Sequence, residues 1–331
     1  MAAQVRFELT HNRFRVYRLT TWLLGNIQIK YITINKQMQI SYLCVILLVV
    51  CEVFMIDIVI PVYNTPIKDL KRCFNSIEKQ SYKDYFVYII DDGSKEDVKK
   101  FIDIYVKNHS NFMVKHIVNG GVSAARNIGI NLSKNKYITF IDSDDSIKKN
   151  FLKEAYELLI KYDLDVIIGG YNEKNGNKII RVRKCLKGIH LYEKDNLNLF
   201  FQKLLSSKVN KYNKELDSCP TGRIYTRLFK KDSIGSLRFN ENINISEDTL
   251  FMIDYMKKVK RIGVIDKIWY DYYKNTYSIT SSTDNKKLIK YMNDFIIEVK
   301  KRMEKENDKN LKLSYKLRIQ KSKDYIKKHK K

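Results

Sequence analysis

The sequence has little of what marks a disulfide-stabilised or zinc-binding protein. Its five cysteines are an odd, scattered set with no Cys-x-x-Cys pair, and its five histidines are dispersed as well. This spacing argues against both a disulfide framework and a zinc site. Unpaired thiols of this kind suit a reducing compartment, so we expect a cytoplasmic protein.

The sequence also lacks an uninterrupted apolar run long enough to cross a bilayer, which takes about 20 residues. The run 43–51 is short, and the wider window 40–60 contains Glu52 and Asp57. A signal peptide fits poorly because the charged region is long and no small-residue cleavage site follows. We expect residues 1–54 to be an upstream extension outside the native protein, with Met55 as the working start. The alternative is a membrane-associating segment.

Acidic residues are scarce relative to basic ones, and the net charge is +25. Such a charge indicates an anionic neighbour: a nucleotide, a nucleic acid or an anionic membrane surface. No RRM, KH or helix-turn-helix pattern is present, which argues against nucleic acid. The segment 285–331 holds 17 Lys or Arg against six Asp or Glu. We expect 281–331 to be a basic helical tail, either solvated or docked on the inner face of the cell membrane.

From Met55 onward, apolar strand-like runs alternate with amphipathic helical patterns. Expected strands are 56–60, 85–90, 113–118, 137–141, 164–170, 179–182, 223–229 and 262–273. Expected helices follow Pro66 and Ser94 and cover 122–132, 151–162, 197–205 and 247–259. This rhythm predicts an α/β protein with a parallel sheet and right-handed crossovers. We expect one domain, 55–280, with a nucleotide half (55–145) and an acceptor half (146–280).

Three carboxylates, Asp142, Asp144 and Asp145, directly follow the central apolar run 137–141. Open α/β sheets bind ligands at the carboxyl ends of their strands. Carboxylates so close together repel one another unless a cation neutralises them, and Mg²⁺ or Mn²⁺ binds one or two carboxylates together with substrate phosphates. Alternatively, these side chains cap a helix that begins near Ile147.

Polar residues also follow the neighbouring strands. Asp91 and Asp92 precede a Gly-Ser turn and are suited to accept hydrogen bonds from a base or a ribose, although an ordinary turn is the alternative. The Asn119-Gly120-Gly121 segment allows a ligand to approach the backbone closely. Arg126, on the following helix, is either a partner for a phosphate or part of a surface salt bridge.

Together these motifs resemble the family 2 glycosyltransferases of bacterial surface-polysaccharide synthesis. The matching segments are 59–64, 91–94, 120–127, 142–145 and 247–248. They lie between Met55 and about Thr280, and their order along the chain is more specific than any one of them. The resemblance implies the GT-A fold, a mostly parallel Rossmann-like sheet flanked by helices, with the basic tail as a helical extension.

The resemblance also implies roles for individual residues. The donor-binding residues would be Pro61, Tyr63, Asn64, Asp91, Asp92, Arg126 and Asp142. Asp142 and Asp144 would hold the divalent metal, Mn²⁺ or Mg²⁺, with Asp145 a further candidate. Asp248 would be the catalytic base, unless it is only an acid at a helix N-terminus. Trp269 and the tyrosines near it would either face a sugar ring or fill the core.

We therefore expect an inverting, metal-dependent hexosyltransferase. It would move a sugar from a nucleotide-sugar donor, a UDP-sugar before others, to a hydroxyl of a glycan or lipid-linked acceptor. A metal ion would stabilise charge on the leaving diphosphate, and a carboxylate would take the proton of the acceptor hydroxyl. The alternatives are a basic nucleic-acid-binding module, which rests on net charge, and a nucleotidyltransferase, which would need a Gly-rich first loop. We expect no nucleic-acid partner.

Overall fold

The computed structural model describes residues 6–10, 13–17, 56–185, 187–205, 222–275 and 284–329. The chain divides into two compact units, Met1–Glu52 and Val53–Lys331. In the first unit, strands β1 (Arg6–Thr10) and β2 (Arg13–Tyr17) pair antiparallel. The apolar run 43–51 lies outside the described residues. Within the described ranges, no helix is long and apolar enough to cross a membrane.

The second unit is a sheet with helices on its faces. Its strands are β3 (Ile56–Val62), β4 (Tyr85–Asp91), β5 (Phe112–His116), β6 (Tyr137–Phe140), β7 (Ser146–Ile147), β8 (Val166–Asn175), β9 (Lys178–Arg183), β10 (Ile189–Glu193), β11 (Arg227–Lys230) and β12 (Arg261–Tyr273). Its α-helices are α1 (Ile67–Glu78), α2 (Glu96–Lys107), α3 (Val122–Leu132), α4 (Phe151–Lys161), α5 (Leu197–Leu205), α6 (Lys231–Ile234), α7 (Glu247–Tyr255), α8 (Asn285–Glu304) and α9 (Lys309–His329).

The sheet combines a parallel half with a mixed half. Its main order is β10-β12-β8-β11-β6-β3-β4-β5, with β7 paired to β12 and β9 to β8. The strands β6, β3, β4 and β5 are parallel, which confirms the α/β prediction for residues 56–140. Strand β11 runs antiparallel between β6 and β8 and so joins the two halves.

Strand β3 is buried along its whole length, including the acidic Asp57. The Asp57 carboxylate accepts hydrogen bonds from the backbone amides of Lys134 and Asn135, both at 2.8 Å, and from the Asn135 side chain at 2.7 Å. Burial nevertheless raises the pKa of Asp57 above its ordinary value. Through these hydrogen bonds Asp57, in an otherwise apolar strand, fixes the turn that leads into β6.

The structure differs from the predicted pattern at the start of α4 and in two later strands, β10 and β11. Helix α4 begins at Phe151 after the N-cap residue Asn150, so the acids at 142–145 do not cap it and that alternative is wrong. The reason is that Ser146 and Ile147 stay extended to pair with Asp271 and Tyr270 of β12. Strand β11 begins four residues later than predicted, and β10 was not predicted because its alternation is weak.

The basic tail forms two helices that belong to the folded core. Helix α8 buries Phe295 and Val299, and α9 buries Tyr315, each with no exposed surface. These side chains pack in one hydrophobic cluster with Phe200 of α5 and Phe251 of α7. The tail is therefore not a solvated appendage, although its remaining faces carry many exposed lysines.

Replacing Gly129 with alanine should destabilise the protein because α3 lies very close to β3 at this point. A Cβ atom at Gly129 would lie 2.2 Å from Val59 Cγ1, far inside van der Waals contact. Overpacking of this kind costs about 1–3 kcal/mol in the free energy of unfolding, which urea denaturation measures.

The double variant with Val59→Ala and Gly129→Ala is the control. Val59→Ala alone should also be destabilising because it leaves a cavity. In the double variant the lost valine methyls leave room for the new one, so the combined cost should be smaller than the sum by about 1 kcal/mol or more. Additive costs would contradict tight packing of α3 on β3.

Candidate active site

The carboxyl ends of β3, β4 and β6 meet at one edge of the sheet, because these strands are parallel neighbours. Hydrogen bonds join the three loops that follow them. The Thr65 and Ser143 hydroxyls lie 2.7 Å apart, and the Asn64 amide donates to Ser94 Oγ at 2.9 Å. The loops at 63–65, 91–94 and 142–145 therefore form one polar surface, as the sequence predicted.

Arg126 connects this surface to the second half of the protein. Its guanidinium donates to Asp142 Oδ1 at 2.9 Å and to Glu247 Oε1 at 2.8 Å. The side chain is almost fully buried, so the surface salt bridge considered for it is wrong. Burial opposes the charge, but the attraction of Asp142 and Glu247 prevails and raises the pKa of Arg126. The planar guanidinium group can donate to two carboxylates from different nitrogens, and so it suits this bridging contact better than the ammonium group of a lysine.

Asp142 and Asp144 are half-buried carboxylates on the same loop. Asp144 Oδ2 accepts a hydrogen bond from the Asn275 side chain at 2.8 Å, and its carbonyl accepts one from Arg72. Burial, followed by repulsion from Asp142, raises the pKa of Asp144 to about 6. Asp142 Oδ2 has no hydrogen bond to a described residue, so the pair retains acceptor capacity for a cation.

Asp145 differs from its two neighbours because its carboxylate is already satisfied within the protein. Its oxygens accept hydrogen bonds from the Tyr270 hydroxyl and the Tyr273 backbone amide, each at 2.8 Å. The side chain is completely buried, which raises its pKa well above the ordinary value. These contacts give Asp145 a structural role, because they link the loop 142–145, the acidic loop, to β12.

The predicted nucleoside-binding residues lie side by side at the end of β3 and β4. Tyr63 has 56% of its surface exposed, whereas Pro61 is buried within β3. Asn64 adopts a left-handed backbone, with φ of 51°, and its side chain accepts a hydrogen bond from the Lys95 amide at 2.8 Å. Of these residues, Tyr63 is the one with an exposed aromatic side chain.

Asp91 and Asp92 are both buried and both hydrogen-bonded within the chain. Asp92 accepts hydrogen bonds from the backbone amides of Gly120 at 2.7 Å and Gly121 at 2.9 Å. Gly121 has φ of 88°, a conformation that favours glycine. Asp91 Oδ1 accepts from the Ser94 amide at 3.1 Å, and its Oδ2 lies 2.7 Å from His116 Nδ1. The carboxylates thus shape the loop edge in addition to any contact with a nucleoside.

Glu247 and Asp248 stand in the first turn of α7, which follows the left-handed residue Ser246. Glu247 faces Arg126, as described above. Asp248 Oδ1 accepts a hydrogen bond from the Thr249 amide at 2.6 Å, and its Oδ2 lies 3.7 Å from the Arg223 guanidinium. Arg126 therefore brings the predicted metal and base segments to one site, although Asp248 also satisfies the helix N-terminus.

Several residues of the site were not predicted from the sequence. These are Arg72, Arg223 and Asn275, which come from segments without a recognisable motif, and Glu247, which stands in the 247–248 motif but was assigned no role of its own. Glu247 had the clearest signal, since it lies beside Asp248 at a helix start. Trp269 and Tyr270 are almost fully buried, so the core alternative holds for both. Tyr277 lies outside the described residues.

The residues that remain for a metal are the carboxylates of Asp142 and Asp144. No group of three or more His, Cys, Asp or Glu side chains suited to a metal ion occurs within the described ranges. Two carboxylates suit a cation whose other ligands are phosphates and water. The repulsion that raises the pKa of Asp144 is what such a cation would relieve.

A family model described as "Glycosyl transferase family 2" matches residues 57–234, more than half of the chain. The chain belongs to this family of glycosyltransferases. It is 28% identical over 224 residues to the glycosyltransferase GlyG of Streptococcus pneumoniae, and the match covers 65% of this chain and 69% of GlyG. It is also 28% identical over 229 residues to a poly(ribitol-phosphate) beta-glucosyltransferase of Bacillus spizizenii, covering 66% of this chain and 32% of that enzyme.

The glycosyltransferase fold is also found by structural comparison. The S. aureus TarS 1–349 structure in complex with UDP-GlcNAc aligns with a TM-score of 0.57 and 21% identity, covering 74% of this chain and 66% of TarS. At this identity the likeness establishes the fold alone. It confirms the predicted GT-A architecture.

Asp144→Asn should raise the free energy of unfolding by about 1 kcal/mol at about pH 7.5 without divalent cations. At this pH, above the pKa of about 6, Asp144 is ionised and is repelled by Asp142. The amide removes this repulsion and retains an oxygen that accepts from Asn275. Below the ordinary carboxyl pKa the benefit should vanish, because Asp144 is then protonated. Urea denaturation at both pH values measures the effect.

Asp271→Asn is a matched control with the opposite sign. Lys148 and Lys174 lie 2.7 and 2.8 Å from the Asp271 carboxylate. Burial opposes the charge, but these hydrogen bonds prevail and lower the pKa of Asp271. This stabilisation is present above the ordinary carboxyl pKa. Asp271→Asn should therefore lower the free energy of unfolding at neutral pH. A loss of stability in both variants would contradict repulsion at Asp144.

Proposed function

We propose that this glycosyltransferase transfers a hexose-type sugar, with inversion, from a nucleotide-sugar to a hydroxyl of a glycan or lipid-linked acceptor in cell-surface polysaccharide synthesis. The observation that carries the proposal is the pair of hydrogen bonds from Arg126. They join Asp142, in the loop 142–145, to Glu247, which lies beside Asp248. The exposed ring of Tyr63 suits stacking against a nucleoside base. A UDP-sugar is the first donor to test, since TarS carries UDP-GlcNAc in its solved complex.

In the proposed reaction, one side of the site stabilises the leaving diphosphate and the other side accepts the proton of the attacking hydroxyl. Asp142 and Asp144 would hold a divalent cation, Mn²⁺ or Mg²⁺, which stabilises charge on the leaving diphosphate when bound. Arg126 keeps Asp142 in position and compensates part of its charge. On the other side, Asp248 would accept the proton of the attacking hydroxyl. The nucleic-acid-binding and nucleotidyltransferase alternatives gain no support from the relatives.

Asp248→Asn should lower the transfer rate by roughly 10² to 10⁴ because the amide cannot accept the proton. The donor Kd should be unchanged, since the predicted nucleoside-binding residues come from β3 and β4. If Asp248 only supports the helix N-terminus, asparagine would serve equally well and the rate would hardly change. Transfer rate and donor Kd are measured together on the purified variant.

Glu247→Gln is the neighbouring control. The amide still accepts a hydrogen bond from Arg126, so the variant keeps the bridge while losing one charge. We expect Asp248→Asn to be the more damaging change. The reverse ranking would assign the base to Glu247, and loss of donor binding in both variants would indicate damage to the fold instead.

The metal proposal is tested with Asp144→Asn by a readout other than activity. Calorimetry of Mn²⁺ with UDP should show binding to the parent and at least about tenfold weaker binding to the variant, because one of two carboxylate ligands is lost. Asp271→Asn, which leaves the acidic loop intact, should bind as the parent does. Equal affinity of the Asp144 variant would contradict a metal ligand at this position.

We also propose that the protein is cytoplasmic and associates with the inner face of the cell membrane through α8 and α9. Exposed lysines on these helices include Lys286, Lys290, Lys300, Lys323, Lys327 and Lys328. Each basic residue near an anionic surface contributes about 1 kcal/mol. Removing the helices would uncover the core around Tyr315, so substitution is the cleaner test.

A variant with glutamine at Lys323, Lys327 and Lys328 should bind vesicles containing anionic lipid about 100-fold more weakly than the parent does. The control carries the same change at Lys100, Lys107 and Lys153, which are exposed elsewhere on the domain. Vesicle co-sedimentation measures binding, and donor hydrolysis should stay unchanged in both variants. Equal losses in the two variants would indicate a general charge effect without a specific surface.

A further inference from the structure

His116 stands at the end of β5 between two carboxylates. It lies opposite Asp91, the last residue of β4, where the two parallel strands pair. Its Nδ1 is 2.7 Å from Asp91 Oδ2, and its Nε2 is 3.0 Å from Asp103 Oδ1 of α2. Among the described residues, these two acids are the charged groups that face the ring, one from the sheet and one from the helix.

Both contacts can be hydrogen bonds only while His116 carries its second proton. An ionised carboxylate accepts hydrogen bonds and donates none, and a neutral imidazole has a single N–H. A neutral ring would therefore set the lone pair of one nitrogen against a carboxylate oxygen. The imidazolium form donates from both nitrogens and pairs with both negative charges.

The charges around His116 favour the same form. Burial is the largest influence on the ring and opposes its charge, but the hydrogen bonds and the attraction of Asp91 and Asp103 prevail and raise the pKa of His116. The resulting stabilisation is complete below the ordinary pKa of about 6.5 and is lost as the pH rises through the higher value in the folded protein. The loss therefore occurs above about pH 6.5.

Asp91 depends on His116 for compensation of its charge. The Asp91 side chain has no exposed surface, and its hydrogen-bond partners among the described residues are the His116 ring and the Ser94 amide, which donates to Oδ1 at 3.1 Å. A buried carboxylate is costly unless it is paired and hydrogen-bonded. Deprotonation of His116 removes the paired charge from Asp91 and leaves that cost uncompensated.

Hydrogen bonds continue from Asp91 to the loop that carries Tyr63. The Ser94 amide donates to Asp91, and Ser94 Oγ accepts a hydrogen bond from the Asn64 amide at 2.9 Å. His116 is therefore connected, through Asp91 and Ser94, to the loop that we propose contacts the nucleoside. A loop that is already held in its binding geometry loses less entropy when the ligand binds, and this improves affinity.

We propose that His116 is a positioning residue of the donor site, and that its protonated form holds the loops after β3 and β4 in the geometry that binds the nucleoside. The inference rests on the proposed function, because it takes these loops as the nucleoside site. A rise in pH then weakens nucleoside binding through a group that does not have to touch the ligand. By reciprocity, a bound nucleoside raises the pKa of His116 further.

Nucleoside affinity at two pH values, measured by calorimetry without divalent cations, tests the proposal. The probes are uridine, thymidine and guanosine, because they carry no phosphate that titrates in this range. The nucleoside that the parent binds should bind about threefold or more weakly at about pH 8 than at about pH 5.5. His116→Gln should bind it with the same weak affinity at both pH values, since glutamine carries no charge.

His109→Gln is the matched control. The two ring nitrogens of His109 also face oxygen atoms, the Tyr105 carbonyl at 2.7 Å and the Glu78 carboxylate at 2.6 Å. These partners belong to the last turns of α2 and α1, which lead away from the loops of the donor site. The His109 variant should therefore keep the pH dependence of the parent.

The His116 ring can be followed directly by NMR, and its resonance is the one that His116→Gln lacks. Its titration in the parent should move to higher pH when the nucleoside is added. Asp103→Asn removes the charge of a carboxylate that is 56% exposed, while its amide oxygen can still lie near Nε2. In this variant, the His116 titration and the change in affinity should both move to lower pH, with affinity at about pH 5.5 close to that of the parent.

The outcomes separate this inference from the proposed function. A nucleoside that binds the parent equally well at both pH values would overturn the role of His116 and leave the donor site intact. An unchanged pH dependence in His116→Gln, or a His116 titration that a bound nucleoside does not move, would overturn it as well. Binding of none of the three nucleosides would refute the donor site and the inference together. If His116→Gln unfolds, Asp103→Asn and the titration of the parent still decide the question.

Discussion

The buried guanidinium of Arg126 is the contact on which the site depends. It binds one carboxylate from the loop after β6 and one from the first turn of α7, 121 residues away from it along the chain. Loss of this cation would leave two acids facing each other in a poorly solvated place, and removing one partner of a buried pair typically costs about 3–5 kcal/mol. The same charge therefore joins the loop after β6 to α7 and would align the proposed donor and acceptor sides.

The fold of residues 56–140 could be predicted almost completely from the sequence. Its strands are parallel, with β3 and β6 fully buried and β4 nearly so, and each appears as a short apolar run followed by a polar turn. Helix α3 has the predicted bounds. The fold of the residues after β6 is harder to predict because β7 is only two residues long and β11 enters the sheet antiparallel. Pairing that depends on distant strands leaves little local signal.

In the candidate site too, some residues can be identified from their neighbours in the sequence, whereas the roles of others depend on contacts with remote segments. Asp142, Asp144 and Asp248 were identifiable because each stands in a short motif at the end of a strand or the start of a helix. The roles of Asp145 and Arg126 depend on neighbours from β12 and from α7. No residue near them in the sequence reports those neighbours, so only the folded structure shows that both groups already have partners.

The position of β11 in the sheet has a consequence for how the chain folds during synthesis. Strand β6 is complete at Phe140, but its partner on one side does not begin until Arg227. The parallel half can form first, yet one edge of β6 stays unpaired until nearly 90 further residues have left the ribosome. An open strand edge is prone to pair with other chains. The interval before β11 arrives is therefore the stage at which aggregation competes most strongly with folding.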